Sequence, residues 1–136
     1  MTPTHALVDL REIRGAKGAL TFGEVGTDIP FAVQRVFTLF DLPEGGHRGG
    51  HAHIAQHQFL MMASGRCVVT VDDGFKRTDV PLDRPSQALY VPPMLWLDLK
   101  DFSKGASCVV LASGLYDEAD YIRDHEAFLA RAGIKR

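Results

Sequence analysis

The chain has 136 residues, of which 46% are hydrophobic and 24% charged, a composition typical of one soluble globular domain that we place at residues 1–136. Its 17 acidic and 15 basic residues give a formal net charge of −2, which excludes a strongly basic surface for nucleic acid or for an anionic membrane. The N-terminus carries no recognisable secretory signal, and no apolar run reaches the ~18 residues that span a bilayer, so we expect a cytoplasmic protein.

Short apolar runs separated by turn signals occupy residues 6–112, at the spacing of about 8–12 residues that indicates an all-β sandwich or barrel. The clearest turn is Asp72-Asp73-Gly74, because Asp-Gly pairs accept the positive φ of hairpin turns. The predicted strands are, in chain order, residues 6–10, 19–24, 34–41, 58–64, 66–71, 75–82, 88–91, 95–99 and 107–112. Two of these runs carry Cys67 and Cys108, which we interpret as buried small hydrophobic residues.

The pattern changes to helical spacing from Asp117 onward, and Gly133 is a stop signal for that helix. Acidic residues at its start suit the positive end of a helix dipole. The apolar positions that repeat at helical spacing are Ala119, Ile122, Phe128 and Leu129. Strands followed by a single helix predict an all-β jelly-roll β-barrel with one C-terminal helix.

Histidine is the unusual feature of this sequence, because four of the six histidines lie between residues 47 and 57. His51 and His53 are two residues apart, so on a strand both side chains share one face. Glycines precede this pair and allow a ligand to approach the backbone closely. Two imidazoles on one face can bind a metal, act as general acid and base, or hydrogen-bond a polar ligand.

The spacing of Gly45, His51-Ala52-His53, Gln58 and Gly65 matches the first motif of the cupin superfamily. The residue types differ from that motif, because the neutral Gln58 stands where a carboxylate would ligate a metal. Residues 93–98, where the second motif would supply another histidine, contain none. We therefore predict a cupin-like fold without a metal site.

The sequence resembles the nucleotide-sugar 3,4-ketoisomerases, which convert dTDP-4-keto-6-deoxyglucose to its 3-keto isomer. The resemblance is carried by residues 48–53, 58–60, 64–65 and 71–74. Residues 29–37 and 111–123 extend the resemblance over nearly the whole chain. It implies a cupin-like β-barrel homodimer with exchanged N-terminal strands, no metal, and a sugar pocket that contains His51 and His53. Phe37 stands where this family has a tyrosine.

Moving a ketone from C4 to C3 requires a base for the C3 proton, stabilisation of an enediol(ate), and delivery of a proton to C4. Histidine titrates near neutral pH and suits this work, and no redox cofactor is needed because the hydrogen moves as a proton. We therefore predict His51 and His53 as the catalytic residues, and their spacing does not decide which is the base. We predict that the protein uses no cofactor.

Three further residues are predicted to bind the dTDP-linked 4-keto-6-deoxy sugar. Arg35 and Arg48 carry guanidinium groups, which suit diphosphate oxygens, and Gln58 can hydrogen-bond a sugar hydroxyl or orient a histidine. Tyr116 and Tyr121 are predicted to pack in the helix region. The alternative functions are a sugar-nucleotide epimerase, a non-catalytic sugar-nucleotide-binding module, and a metal-dependent cupin oxygenase, which the absent ligands disfavour.

Overall fold

A computed structural model describes residues 3–133. Within them, strands dominate, followed by one 3-10 turn at Glu118–Asp120 and one C-terminal helix, α1 (His125–Arg131). The strands are β1 (Ala6–Asp9), β2 (Arg11–Gly15), β3 (Gly18–Phe22), β4 (Arg35–Leu39), β5 (Arg48–His53), β6 (Gln58–Ser64), β7 (Cys67–Asp72), β8 (Arg77–Leu82), β9 (Gln87–Val91), β10 (Trp96–Lys100), β11 (Ser107–Ala112) and β12 (Tyr121–Ile122).

The strands build two five-stranded antiparallel sheets whose inner faces share one core. The first sheet has the order β1-β9-β6-β11-β4 and the second the order β12-β5-β10-β7-β8. Side chains alternate along each strand, so every second residue enters the core. Buried residues from both sheets include Leu60, Met62, Val69, Leu82, Leu89, Leu97, Leu99, Cys108 and Val110. The predicted all-β fold with one C-terminal helix is confirmed.

The strand that carries the two histidines, β5, depends on a glycine at the point where it meets β10. Gly49 has φ +102, and a Cβ there would lie 2.9 Å from the carbonyl oxygen of Leu97. Only glycine tolerates both this conformation and this close approach. The pairing of β10 with β5 also shifts register between Leu97 and Asp98, beside the strand residue that pairs with His51. Glycine therefore lets β5 enter the sheet with both histidines on one face.

A hairpin of β2 and β3 was only half predicted, because residues 11–15 were not assigned to a strand. The two strands pair with each other, from Arg11 opposite Phe22 to Gly15 opposite Gly18, and they form a separate two-stranded sheet. Ile13 and Leu20 on this hairpin are 64% and 56% exposed. A two-stranded hairpin is marginally stable alone in water, and this one leaves two large apolar side chains exposed.

The C-terminal helix is shorter than predicted. Instead of one helix from residue 117, the chain forms the 3-10 turn, then the short strand β12, and then α1. The helix begins after Asp124, whose carboxylate accepts from the backbone N–H of Ala127 at 3.1 Å. Asp117 caps the preceding 3-10 turn in the same way. Asparagine, aspartate and serine side chains compete with helix backbone bonds, which is why each aspartate starts a turn. Within residues 3–133 no helix is long and apolar enough to cross a membrane.

Candidate active site

A cavity of about 350 Å³ opens between the two sheets, and four of the five predicted site residues line it. Its apolar wall comes from the inner faces of both sheets, including Phe37, Leu39, Leu60, Leu97, Leu99 and Val110. Its polar side chains are Arg35, Arg48, His51, Gln58, Tyr116, Tyr121 and Arg123. An apolar cleft with a few convergent polar groups is the usual form of a small-molecule site.

His51 and His53 lie on the same face of β5, as their spacing predicts. Their ring centroids are 5.2 Å apart and the rings are nearly perpendicular, at 89°. His51 is half-buried and lines the cavity. His53 lies behind it and is only 5% exposed. The pair therefore has an inner and an outer member, which the sequence alone does not distinguish.

The inner histidine is engaged through both ring nitrogens. Nδ1 of His53 lies 2.9 Å from Oδ2 of Asp120, and its Nε2 lies 3.1 Å from Nε2 of Gln58. Burial lowers the pKa of His53, while the hydrogen bond to Asp120 acts in the opposite direction. With His53 held in this way, His51 is the imidazole placed to contact a ligand in the cavity.

Burial also lowers the pKa of His51, from the ordinary value of 6.5 to about 4, with the positive charge of Arg123 acting in the same direction. A base must be unprotonated to accept a proton, so an activity that depends on neutral His51 is expected to persist down to about pH 4 and to fall only below it. The profile of kcat/KM against pH, which reports the free enzyme, checks this. An acid limb near pH 6.5, with an unchanged circular dichroism spectrum, would contradict it.

Two of the predicted binding residues are arginines at different depths. Arg35 is half-buried, its Nη2 donates to Oε1 of Gln56 at 3.1 Å, and its guanidinium carbon lies 5.2 Å from the ring centroid of Phe37. The buried Nε of Arg35 has no hydrogen-bond partner among residues 3–133. Arg48 is exposed at the cavity mouth. Together they bring two cations to one apolar cleft.

Three polar side chains of the cavity were not predicted as site residues from the sequence: Tyr116, Tyr121 and Arg123. The two tyrosines were predicted to pack in a helix region, but they line the cavity. Nε of Arg123 donates to Oε1 of Glu118 at 2.6 Å, and Tyr116 donates its hydroxyl to the same carboxylate. These hydrogen bonds, the one from Arg123 first, lower the pKa of Glu118 to about 2.

Strand pairing explains why this segment reaches the site. Tyr121 in β12 pairs with His53 in β5, and its ring centroid lies 4.4 Å from that of His53 and 5.1 Å from that of His51. The guanidinium carbon of Arg123 lies 4.3 Å from the Tyr121 ring centroid, a cation–π distance. The signal in the sequence was the gap in apolar spacing between Ile122 and Phe128.

The other two clustered histidines lie away from the cavity lining. Nε2 of His47 is 3.1 Å from Oδ1 of Asp98 at the surface. Nδ1 of His57 is 2.7 Å from the hydroxyl of Tyr90. In the part of the chain that the structure describes, no group of three or more histidine, cysteine, aspartate or glutamate side chains is arranged to hold a metal ion.

Comparison with known proteins covers nearly all of the chain. The family model described as FdtA: WxcM-like, C-terminal matches residues 3–133. The chain is similar to a TDP-4-oxo-6-deoxy-alpha-D-glucose-3,4-oxoisomerase from Aneurinibacillus thermoaerophilus, with 38% identity over 124 residues that make up 91% of this chain and 89% of that protein.

Solved structures of similar fold include two ketoisomerases. QdtA, a sugar 3,4-ketoisomerase from Thermoanaerobacterium thermosaccharolyticum in complex with TDP, superimposes with a TM-score of 0.91 and 33% identity, over 95% of this chain and 94% of its own. A histidine-to-asparagine mutant of QdtA was solved with TDP-4-keto-6-deoxyglucose. WlaRB, a TDP-quinovose 3,4-ketoisomerase from Campylobacter jejuni, gives a TM-score of 0.88 and 39% identity, over 93% of this chain and 97% of its own.

Proposed function

This chain belongs to the FdtA family, and we propose that it is a sugar-nucleotide 3,4-ketoisomerase that moves the ketone of a TDP-4-keto-6-deoxyhexose from C4 to C3. The observation that carries the proposal is His51, a histidine of lowered pKa in the wall of a cleft that is also lined by Arg35, Arg48 and Arg123. The activities of the similar proteins favour an isomerase over an epimerase, a binding module or a metal-dependent oxygenase.

In the proposed reaction His51 takes the proton from C3 of the sugar, and the electron pair of the C–H bond forms the C3–C4 double bond of an enediolate. The proton is then returned to C4 as the C3 oxygen becomes the carbonyl, and the hydroxyl proton moves from the C3 oxygen to the C4 oxygen. The oxidation of C3 is matched by the reduction of C4 within the same sugar, so the reaction uses no redox partner. The nearby guanidinium groups stabilise the negative oxygens of the enediolate or of the diphosphate.

The experiment that tests this function follows the carbonyl carbon directly. The protein is incubated in heavy water with TDP-4-keto-6-deoxyglucose labelled with ¹³C in the sugar, and the carbon spectrum is recorded over time. The expected result is loss of the C4 ketone signal and growth of a C3 ketone signal, with coupling constants that report the configuration at C4. Deuterium incorporation without movement of the carbonyl, or binding without exchange, would overturn the proposal.

Substrate binding is assigned to Arg35 and Arg48 as phosphate or enediolate ligands, and to Gln58, whose side chain lines the cavity while its amide contacts His53. Arg48 tests this most cleanly because it is exposed and its loss leaves the core intact. Arg48→Gln is expected to weaken TDP binding about 10-fold, the size of one charge-assisted hydrogen bond, measured by titration calorimetry. Arg66→Gln, at an exposed position outside the cavity, is the matched control, and equal affinities of the two variants would contradict the assignment.

We further propose a homodimer in which the N-terminal strands are exchanged. Strand β1 pairs with β9 of its own chain, so the segment available for exchange is the hairpin of β2 and β3. Val36 and Phe40, at and just beyond the edge strand β4, are 61% and 64% exposed, comparable to Ile13 and Leu20 of the hairpin. Apolar residues exposed on both surfaces suit a contact in which the hairpin of one chain covers the partner.

The double substitution Ile13→Lys and Leu20→Lys is expected to convert a dimer to a monomer, because it places two charges in the proposed contact. Light scattering after size-exclusion chromatography measures the mass, which should fall from twice that of the chain to once. Phe75→Lys is the matched control, since Phe75 is 76% exposed in the loop before β8 of the other sheet. A wild-type monomer, or a double variant that stays dimeric, would contradict the proposed contact.

The proposed location is the cytoplasm. Cys67 and Cys108 are both free and fully buried, as predicted. Burial raises the pKa of the Cys67 thiol to about 11 and that of Cys108 to about 12, so neither is reactive at neutral pH. Unpaired cysteines used as core residues are typical of a reducing compartment.

A further inference from the structure

Asp120 is a buried carboxylate surrounded by hydrogen-bond donors, and it is 8% exposed. Its Oδ1 accepts from the backbone N–H of Ala55 at 2.8 Å, and its Oδ2 accepts from that of Gln56 at 3.3 Å. The third partner is Nδ1 of His53, 2.9 Å from Oδ2. A buried carboxylate is stable only when its oxygens accept hydrogen bonds, so Nδ1 of His53 must carry a hydrogen and donate it.

The far side of the same imidazole is also defined. A neutral imidazole has one N–H and one lone pair, so a hydrogen on Nδ1 leaves the lone pair on Nε2. The amide nitrogen of Gln58 lies 3.1 Å from that Nε2 and is a donor. Burial disfavours the charged form of His53. Carboxylate, imidazole and amide therefore form one directed chain, Gln58 to His53 to Asp120.

The position of His53 makes this chain relevant to the site. Its ring is edge-on to His51, with centroids 5.2 Å apart, and Tyr121 packs on it at 4.4 Å. Asp120 immediately precedes Tyr121, so one short segment delivers both the carboxylate and the packing ring to His53. Asp120 itself does not line the cavity. Its hydrogen bond to His53 is its link to His51, and its contact with the backbone of Gln56 lies behind Arg35.

We propose that Asp120 is a positioning residue that fixes His53 in the tautomer protonated at Nδ1 and so sets the orientation and electrostatics of the imidazole beside His51. This proposal rests on the proposed isomerase function for its effect on turnover. In that reaction His51 becomes positively charged when it holds the C3 proton. The fixed ring of His53 keeps His51 in place while it holds this charge.

The first test measures the tautomer in the wild-type protein and needs no substrate. The protein is labelled with ¹⁵N in histidine, and a long-range ¹H–¹⁵N correlation spectrum is recorded at pH 7. His53 is expected to show the chemical shifts of a neutral ring protonated at Nδ1. A ring protonated at Nε2 would overturn the proposal whatever the enzyme activity is.

The second test uses Asp120→Asn, which keeps the shape but removes one acceptor, so one donor loses its partner or His53 changes tautomer. The expected result is a fall in kcat of about 10²–10⁴-fold, as for a misplaced general base, with KM changed less than about threefold. The matched control is Asp117→Asn, because Asp117 is exposed, caps the same turn through Ala119, and asparagine caps equally well. The control is expected to keep wild-type kcat.

The outcomes separate this proposal from the proposed function. If the wild type moves no carbonyl, the isomerase function fails, while the tautomer spectrum still tests the link between Asp120 and His53. If Asp120→Asn folds, as judged by its amide spectrum, and turns over at the wild-type rate, the positioning role is overturned. If it does not fold, the wild-type tautomer alone decides.

Discussion

Replacing His51 by asparagine is expected to lower kcat by about 10²–10⁴-fold, the usual contribution of a positioned acid–base group. Asparagine is close in size to histidine and keeps a polar group in the cavity, but it cannot accept a proton at neutral pH. His51 is half-buried on a strand whose fold depends on glycine and on its neighbouring strands rather than on this ring. Structure and substrate binding are therefore expected to persist while proton abstraction is lost.

The measurement combines the carbonyl spectrum with deuterium exchange at C3. Together, these two readouts distinguish a loss of proton abstraction from a loss of proton return. His51→Asn is expected to lose both, and TDP affinity measured by calorimetry should stay within about threefold of wild type. His47→Asn is the matched control, since His47 belongs to the same histidine cluster but lies at the surface against Asp98. Wild-type turnover in His51→Asn, or an equal loss in the control, would contradict the role assigned to His51.

Local features of the sequence predicted most of the strands and the shared face of His51 and His53. Alternation placed His51 and His53 on one face, and the structure confirms this at 5.2 Å. Apolar runs bounded by turn signals predicted strands 58–64 and 107–112 with the bounds observed for β6 and β11. These features depend on neighbouring residues in the chain, which is why a single sequence is enough to predict them.

The remainder of the site depends on contacts between distant residues. Asp120 is 67 residues from His53, and neither its hydrogen bond nor the pairing of Tyr121 with β5 has a local signal. Acidic residues at 117–120 were interpreted as a helix start, because that is where such residues usually lie. One of them, Asp120, is instead buried against an imidazole. Tertiary contacts outweigh local helix propensity here, and the segment predicted as helix contributes Tyr116, Tyr121 and Arg123 to the cavity lining.

Loss of the packing between the C-terminal helix and the sheet is expected to cost stability, because Phe128 is 0% exposed. It packs with its ring centroid 5.8 Å from that of Trp96, and Ile122 and Ala52 belong to the same buried cluster. Phe128→Ala is expected to lower the free energy of unfolding by about 3–5 kcal/mol. The loss combines the transfer free energy of the removed ring with the cavity left beneath the seven-residue helix, which the helix cannot close. Chemical denaturation at one fixed protein concentration measures this, because association of the proposed dimer would make stability depend on concentration.

The same substitution is expected to lower activity, because Phe128 holds α1 over β5 and β12. Strand β12 has two residues, and on its own such a strand has little stability, so its pairing with β5 depends on the cluster around Phe128. Loosening it moves Tyr121 and Asp120 away from His53. Glu126→Ala on the exposed side of α1 is the control, expected within about 0.5 kcal/mol of wild type. A change below 1 kcal/mol for Phe128→Ala would mean that the helix does not support the site.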